Sequence, residues 1–163
     1  FLNNLIAIIS VKKRNKNFHA RHSAKKRTYK YIIHNRTGKL AINENRSWLV
    51  KKNLNFENMK KAINYFRGTH NFSAFRASSC SAINPIKTIT KANIKKKEDK
   101  IIITFESRSF LQKQVRSMVG CLKYVGEKKW KPEKIKLIIS SKKRKLCAPP
   151  APPEGLYLKK VFY

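Results

Sequence analysis

Acidic side chains are scarce in this 163-residue sequence, in which eight Asp and Glu stand against 39 Lys and Arg. The formal net charge of +31 is an excess that a polyanion normally offsets. Nucleic acid fits this charge best, because each phosphate that Lys or Arg neutralises releases a condensed counterion. An anionic membrane fits less well, because the lysines are scattered and not gathered on one amphipathic helix. A lysine-rich composition that reflects genome bias is the remaining alternative.

Metal ligands and membrane-spanning runs are also missing from the pattern. Cys80, Cys121 and Cys147 form no C-x-x-C pair and have no His at metal-ligand spacing, so we expect no metal site and a reducing compartment. The apolar run at residues 5–11 has the length of a strand and is far too short to cross a membrane. We therefore predict a cytoplasmic protein with no membrane association. The sequence starts at Phe1 without an initiator Met, and we expect it to be a fragment.

Hydrophobic residues make up 41% of the chain, which is enough to predict a folded domain. The periodicity of these residues predicts an α+β fold with a mostly antiparallel sheet and helices packed on it. The expected strands cover residues 5–11, 27–34, 86–95, 100–106 and 156–163, and the expected helices begin at Asn55, Leu111 and Pro132. Residues 35–45 and 69–85 are predicted to be irregular, and residues 148–153 form a proline-rich extended connector.

Four short motifs occur in order along the chain. The first is F-H-A-R at residues 18–21, followed by Ser23, Ala24 and an R-x-Y-x-Y segment at residues 27–31; the second is G-T-H-N-F-S-A-F at residues 68–75. The third joins Phe110 and Leu111 to V-R at 115–116 and V-G at 119–120, and the fourth is A-P-P-E-G-L at 151–156 with the terminal V-F-Y. Together they resemble the TruA-type tRNA pseudouridine synthases. Asn71 replaces that family's usual acid, and Gln114 stands where a Met is common.

The resemblance implies a pseudouridine synthase fold with a ferredoxin-like C-terminal lobe. Residues 1–50 would then be the end of a first α/β lobe with a connecting loop, and residues 51–163 the C-terminal α/β lobe. It also implies an isomerase that converts uridine to pseudouridine in the anticodon stem-loop of tRNA, at positions 38–40, without cofactor or metal. The family's homodimer would place tRNA across two subunits.

The family's catalytic aspartate, in an R-T-D-x-G-V-H-A motif, has no counterpart in this sequence. Asp99 is the only aspartate, and it lies in a predicted hairpin turn, where Asp is a common turn residue. By the resemblance, these residues are therefore a C-terminal portion that is inactive alone.

Two residues match the family's remaining active-site positions. Tyr29 would be the aromatic platform for a uridine taken out of its stack, and a candidate to assist proton removal. Arg116 would keep the carboxylate ionised and pair with phosphate. Each has a simpler alternative, because Tyr29 alternates with Tyr31 on one strand face and could be a core residue, and a lone Arg on an apolar helix often extends to solvent.

A second group of residues offers contacts to RNA, since Arg binds phosphate with two donors and Phe has a stacking face. These candidates are Arg21, Arg27, His70, Phe75 and Arg76, together with Lys142, Lys143 and Arg144 of a basic run. His70 could equally be a structural histidine, and the basic run a solvated surface. Two other functions stay open: a non-catalytic basic RNA-binding protein, and a degenerate synthase that binds tRNA without modifying it.

Overall fold

A computed structural model describes residues 6–42 and 44–163 of the chain. The strands are β1 (Lys26–His34), β2 (Trp48–Leu49), β3 (Gly68–Asn71), β4 (Ile86–Lys97), β5 (Lys100–Ser107) and β6 (Leu156–Phe162). The helices are α1 (Phe56–Ile63), α2 (Gln114–Gly126) and α3 (Lys134–Ser141), and short 3₁₀ turns occupy Asn64–Phe66, Ser73–Phe75, Arg144–Leu146 and Pro153–Gly155. The predicted α+β fold with a mostly antiparallel sheet is confirmed.

The six strands found in the described part of the chain form one sheet in the order β2-β1-β5-β4-β3, and β6 also pairs with β1. Along one edge β1 pairs with β5 over its length, and along the other it pairs first with β6 and then, in parallel, with β2. All other pairs are antiparallel. Strands from before and after residue 50 therefore share one sheet, and the division into two lobes at that residue stays a prediction.

Local signals account for most of the elements. Asn55 caps α1, since its side-chain oxygen accepts a hydrogen bond from the Asn58 backbone N–H at 2.8 Å. Glu98 adopts a left-handed conformation, with φ 55°, in the turn between β4 and β5. The alternating apolar residues of β5 face the helices and form one core with α1, α2 and α3. The members of this core with no exposed surface include Ile101, Ile103, Phe105, Met59, Met118 and Ile135.

Two segments differ from the sequence-based expectation. The predicted buried strand at residues 5–11 is wrong: residues 6–11 form no strand, and Ile9 is 96% exposed. Leu5 lies outside the described residues. An apolar run becomes a buried strand only when another element covers it, and no described strand pairs with this one. The segment at 69–85, expected to be irregular, contains most of β3, whose four residues pair with the start of β4.

No helix in the described part of the chain is long and apolar enough to cross a membrane. Cys80, Cys121 and Cys147 are free thiols, and the described residues contain no group of three or more His, Cys, Asp or Glu side chains that could hold a metal ion.

Candidate nucleic-acid interface and active-site cleft

A cleft of about 630 Å³ opens beside the first residues of β1 and α2. Leu111, Val115 and Leu156 give it an apolar floor, and Tyr29 and Phe110 contribute aromatic rings. Six of its lining residues are positively charged, and none of the described residues that line it is Asp or Glu. The positive residues are Arg21, Arg27, Lys87, Arg108, Lys113 and Arg116. Aromatic surface surrounded by cations suits a nucleotide and its phosphates.

Tyr29 is half-buried on β1, on the same strand face as Tyr31. Its ring centroid lies 5.2 Å from that of Phe110, and the two rings are perpendicular, at 89°. This edge-to-face geometry is the favourable one for two aromatic rings. Tyr29 therefore lines the cleft and also packs against the core.

Arg116 projects from the first turn of α2 and is fixed on one side. Its Nε donates to the Ala151 carbonyl oxygen at 2.6 Å, and the Ala151 N–H donates to the Arg116 carbonyl at 2.9 Å. The two terminal nitrogens of the guanidinium have no partner among the described residues, and they can therefore bind a carboxylate or phosphate with two parallel hydrogen bonds. The predicted alternative, an arginine extending freely into solvent, does not describe this side chain.

The connector that carries Ala151 lies unusually close to α2. A Cβ added at Gly120 would lie 2.1 Å from the Pro149 carbonyl oxygen, a distance that no side chain tolerates. Glycine at this position therefore lets the connector approach the helix and bring Ala151 to Arg116. This contact joins the third sequence motif to the fourth.

Tyr31 joins the first motif to the fourth. Its hydroxyl donates to the Pro152 carbonyl at 2.7 Å, and its ring lies against Gly155, where a Cβ would come within 2.6 Å of ring carbons. Burial, and next the nearby Glu154 carboxylate, raise the pKa of Tyr31 above its usual value. Tyr31 is thus a neutral donor with no exposed surface, and of the two tyrosines it is the structural one.

Arg27 shapes the mouth of the cleft. Its two terminal nitrogens donate to the main-chain carbonyls of Arg108 and Arg21. A tight turn holds Arg21 itself, since the His19 Nδ1 accepts its N–H at 3.1 Å. Arg27 therefore fixes two segments that each carry an exposed cation.

The other predicted contacts lie outside the cleft. Phe75 has no exposed surface and packs edge-to-face against Phe66 and Phe72, so its face cannot stack on RNA. His70 bonds the Arg67 carbonyl at 2.7 Å through Nε2. On β3, His70 lies opposite Lys87 of β4, and Lys87 does line the cleft. Arg76 donates to the carbonyl of Ala82 at 3.3 Å, so it supports the lining indirectly.

The basic run follows α3 and also lies away from the cleft. Lys142 and Lys143 are exposed, and Arg144 donates to the Ala148 carbonyl at 3.1 Å. None of the three lines the cleft. Whether the run contacts RNA stays a prediction.

Sequence reasoning missed several lining residues. Phe110 is the first residue of the third motif, and its place in that motif could have identified it. Lys87, Arg108 and Lys113 carry no such local signal, because the sheet and the start of α2 bring them to the cleft from separate segments.

Gln114 is buried, and its Oε1 accepts the Leu111 N–H at 2.8 Å. Its amide nitrogen has no partner among the described residues.

Comparison with known proteins gives one answer. Residues 62–163 match the family model described as tRNA pseudouridine synthase. The tRNA pseudouridine synthase A of Pelagibacter ubique is 56% identical over 158 residues, which is 97% of this chain and 64% of the relative. Its counterpart from Ehrlichia chaffeensis is 49% identical over the same shares. The Thermoanaerobacter sp. protein is 44% identical over 97% of this chain and 65% of its own length. The chain thus spans less than two thirds of these relatives, and it belongs to the tRNA pseudouridine synthase family.

Proposed function

We propose that the protein containing this chain converts uridine to pseudouridine in tRNA. One observation carries the proposal: Tyr29 and Arg116, from motifs far apart in sequence, line the same cationic cleft. The reaction breaks the glycosidic bond of an unstacked uridine, turns the base and rejoins it to the ribose through carbon. Tyr29 gives the base an aromatic surface, and Arg116 pairs with a carboxylate or a phosphate.

The nucleophilic carboxylate is proposed to come from outside these 163 residues. None of the described residues that line the cleft is acidic, and Asp99 lies in the β4–β5 turn, where the Arg36 guanidinium is 3.5 Å from its carboxylate. An arginine at the cleft whose terminal nitrogens have no partner among the described residues suits a carboxylate arriving from elsewhere. The chain alone should therefore bind tRNA with steep salt dependence and form no pseudouridine.

The finer features of the function are also proposals. We infer that the target uridines lie in the anticodon stem-loop, at positions 38–40, and that the protein acts as a homodimer in the cytoplasm. Support comes from the family resemblance and from the positive charge of the cleft. Sedimentation of the full-length protein, with and without tRNA, measures the oligomeric state, and a monomer under both conditions would contradict the homodimer.

The test is pseudouridine mapping, by chemical modification and primer extension, on an unmodified tRNA transcript incubated with the full-length protein. Tyr29→Phe removes the hydroxyl that is a candidate to assist proton removal, and Arg116→Gln removes the cation that pairs with carboxylate or phosphate. Each change should lower the rate at least about tenfold. Tyr157→Phe and Arg46→Gln are matched controls, because they alter the same residue types outside the cleft, and they should leave the rate unchanged. An intact protein that binds tRNA but forms no pseudouridine would overturn the enzyme proposal and leave a degenerate synthase or a non-catalytic binder.

A further inference from the structure

The two tyrosines on the helix-facing side of β1 are held in different ways. The hydroxyl end of Tyr31 is fixed, by its hydrogen bond to Pro152 and by the packing of the adjacent ring carbons on Gly155. The hydroxyl of Tyr29 has no hydrogen-bond partner among the described residues, and its cross-strand neighbours are Phe105 and Leu158. The orientation of the Tyr29 ring therefore depends on packing and not on a hydrogen bond.

Phe110 is the aromatic ring that packs against Tyr29, at 5.2 Å between centroids. The segment that carries Phe110 is fixed on both sides. The Ser107 hydroxyl donates to the Ser109 carbonyl at 2.8 Å, and the Leu111 N–H donates to the Gln114 Oε1 at the same distance. One residue further on, the Gln112 carbonyl accepts the Ala77 N–H at 3.0 Å. The backbone that carries Phe110 is thus held on both sides, and the Tyr29 ring, which has no hydrogen bond among the described residues, packs against the Phe110 ring.

We propose that Phe110 is a positioning residue, which holds the ring of Tyr29 in the plane that receives the uridine base. The inference rests on the proposed function and adds a residue to it. The positive edge of one ring against the negative face of the other favours the perpendicular geometry. Without the Phe110 ring the Tyr29 side chain can change its rotamer, and the platform is in place for only part of the time. Phosphate binding depends on the cations and is unaffected.

The first measurement is the single-turnover rate of the full-length protein at saturating tRNA, with the tRNA dissociation constant measured separately. Phe110→Leu keeps most of the apolar volume and removes the ring. An edge-to-face pair has an interaction energy that corresponds to about a 2- to 12-fold fall in rate. The dissociation constant should change by less than about twofold, since most of the affinity comes from phosphate contacts. Phe110→Tyr retains the ring and should restore the rate.

Phe162→Leu is the matched control, because Phe162 is a half-buried phenylalanine of β6 that does not line the cleft. All rates are taken below the unfolding transition of each variant and corrected for the folded fraction. An unchanged rate for Phe110→Leu would refute the proposal. So would an equal loss in Phe162→Leu or a weakened tRNA affinity that explains the whole effect.

A second measurement does not depend on turnover. In protein labelled with ¹³C on its tyrosine rings, with the Tyr29 signal assigned by Tyr29→Phe, the Tyr29 resonance should shift in Phe110→Leu and stay in place in Phe162→Leu. An unchanged resonance means that Phe110 does not set the ring and overturns the proposal. If the wild-type protein forms no pseudouridine, the proposed function fails, whereas this spectrum still decides the contact between Phe110 and Tyr29.

Discussion

Replacing Gly120 with alanine should destabilise the protein, although glycine-to-alanine changes inside a helix usually stabilise it. The new Cβ would lie 2.1 Å from the Pro149 carbonyl oxygen and 3.3 Å from its carbon. Both are backbone atoms, which cannot rotate away as a flexible side chain can. Either α2 or the connector must therefore move by about 1.3 Å to restore an ordinary contact distance of 3.4 Å.

The magnitude follows from two destabilising effects and one stabilising effect. Overpacking a well-packed site costs about 1–3 kcal/mol. A displaced connector also weakens the bond between the Arg116 Nε and Ala151, and hydrogen bonds to charged groups contribute about 1.5–3 kcal/mol. The alanine returns about 1 kcal/mol of helix propensity. We expect a net loss of about 1.5–5 kcal/mol, which for a protein of this size lowers the melting temperature by about 3–20 °C.

Thermal unfolding followed by circular dichroism measures the loss, with Gly126→Ala as the control. Gly126 is in the same helix, but a Cβ there would meet the side chains of Met59 and Leu54, at 2.7 and 3.0 Å, and these can adjust. The control should lose less than about half as much stability as Gly120→Ala. A Gly120→Ala protein as stable as the wild type would show that the connector does not constrain α2 in the way described.

Three further predictions concern other contacts of the described residues. Tyr31→Phe removes the hydrogen bond to Pro152 and should cost about 1 kcal/mol in urea unfolding, whereas Tyr29→Phe should change stability by less than about 0.5 kcal/mol; equal losses would contradict the distinction between the two tyrosines. Exchanging both Arg21 and Lys113 for glutamine should lower the magnitude of the slope of log affinity for tRNA against log salt concentration by about 1.4–1.8. The same exchange at Lys51 and Lys52, which are exposed and lie outside the cleft, should leave that slope unchanged. Burial raises the pKa of Glu127, but hydrogen bonds and charges from Lys123 and Lys129 prevail and lower it. The stabilising contribution of the carboxylate is therefore complete above the unfolded-state pKa of about 4.3 and is lost as pH falls through the folded-state pKa. The stability difference between wild type and Glu127→Gln should be constant near neutral pH and shrink below about pH 4, and a pH-independent difference would contradict this.

Short-range chemistry explains which parts of the fold were predictable. The N-cap of α1 at Asn55, the turn at Glu98 and Asp99 and the apolar alternation of β5 are all properties of a few neighbouring residues. The run at residues 6–11 shows the limit of such signals, because its apolar side chains are compatible with a strand but the pattern does not supply a partner. The strand β3 has the opposite problem: its sequence, G-T-H-N, has weak strand propensity, and its pairing with β4 creates it.

The same distinction applies to the site. Tyr29 and Arg116 were predicted from motif positions, and the structure brings both to one cleft. Phe75 was predicted to contact RNA because phenylalanine has a stacking face, yet its ring is entirely in the core. A residue type shows what contact a side chain can make without showing which way the side chain points. Lys87 and Arg108 reach the cleft only through the packing of separate strands and loops, so nothing adjacent to them in sequence indicates the role.

The motifs themselves divide into residues that face the cleft and residues that hold those in place. Tyr29 and Arg116 face it, whereas Tyr31, Gly120 and Gly155 let the connector at residues 148–153 lie against both β1 and α2. Because that connector contacts both elements, at Tyr31 of β1 and at Arg116 and Gly120 of α2, it fixes β1 relative to α2, and hence Tyr29 relative to Arg116. A glycine that a sequence comparison would classify as structural is then coupled to the geometry of the site. The loss of Arg116 positioning and the loss of stability in Gly120→Ala should accordingly occur together, because one displaced carbonyl at Pro149 causes both.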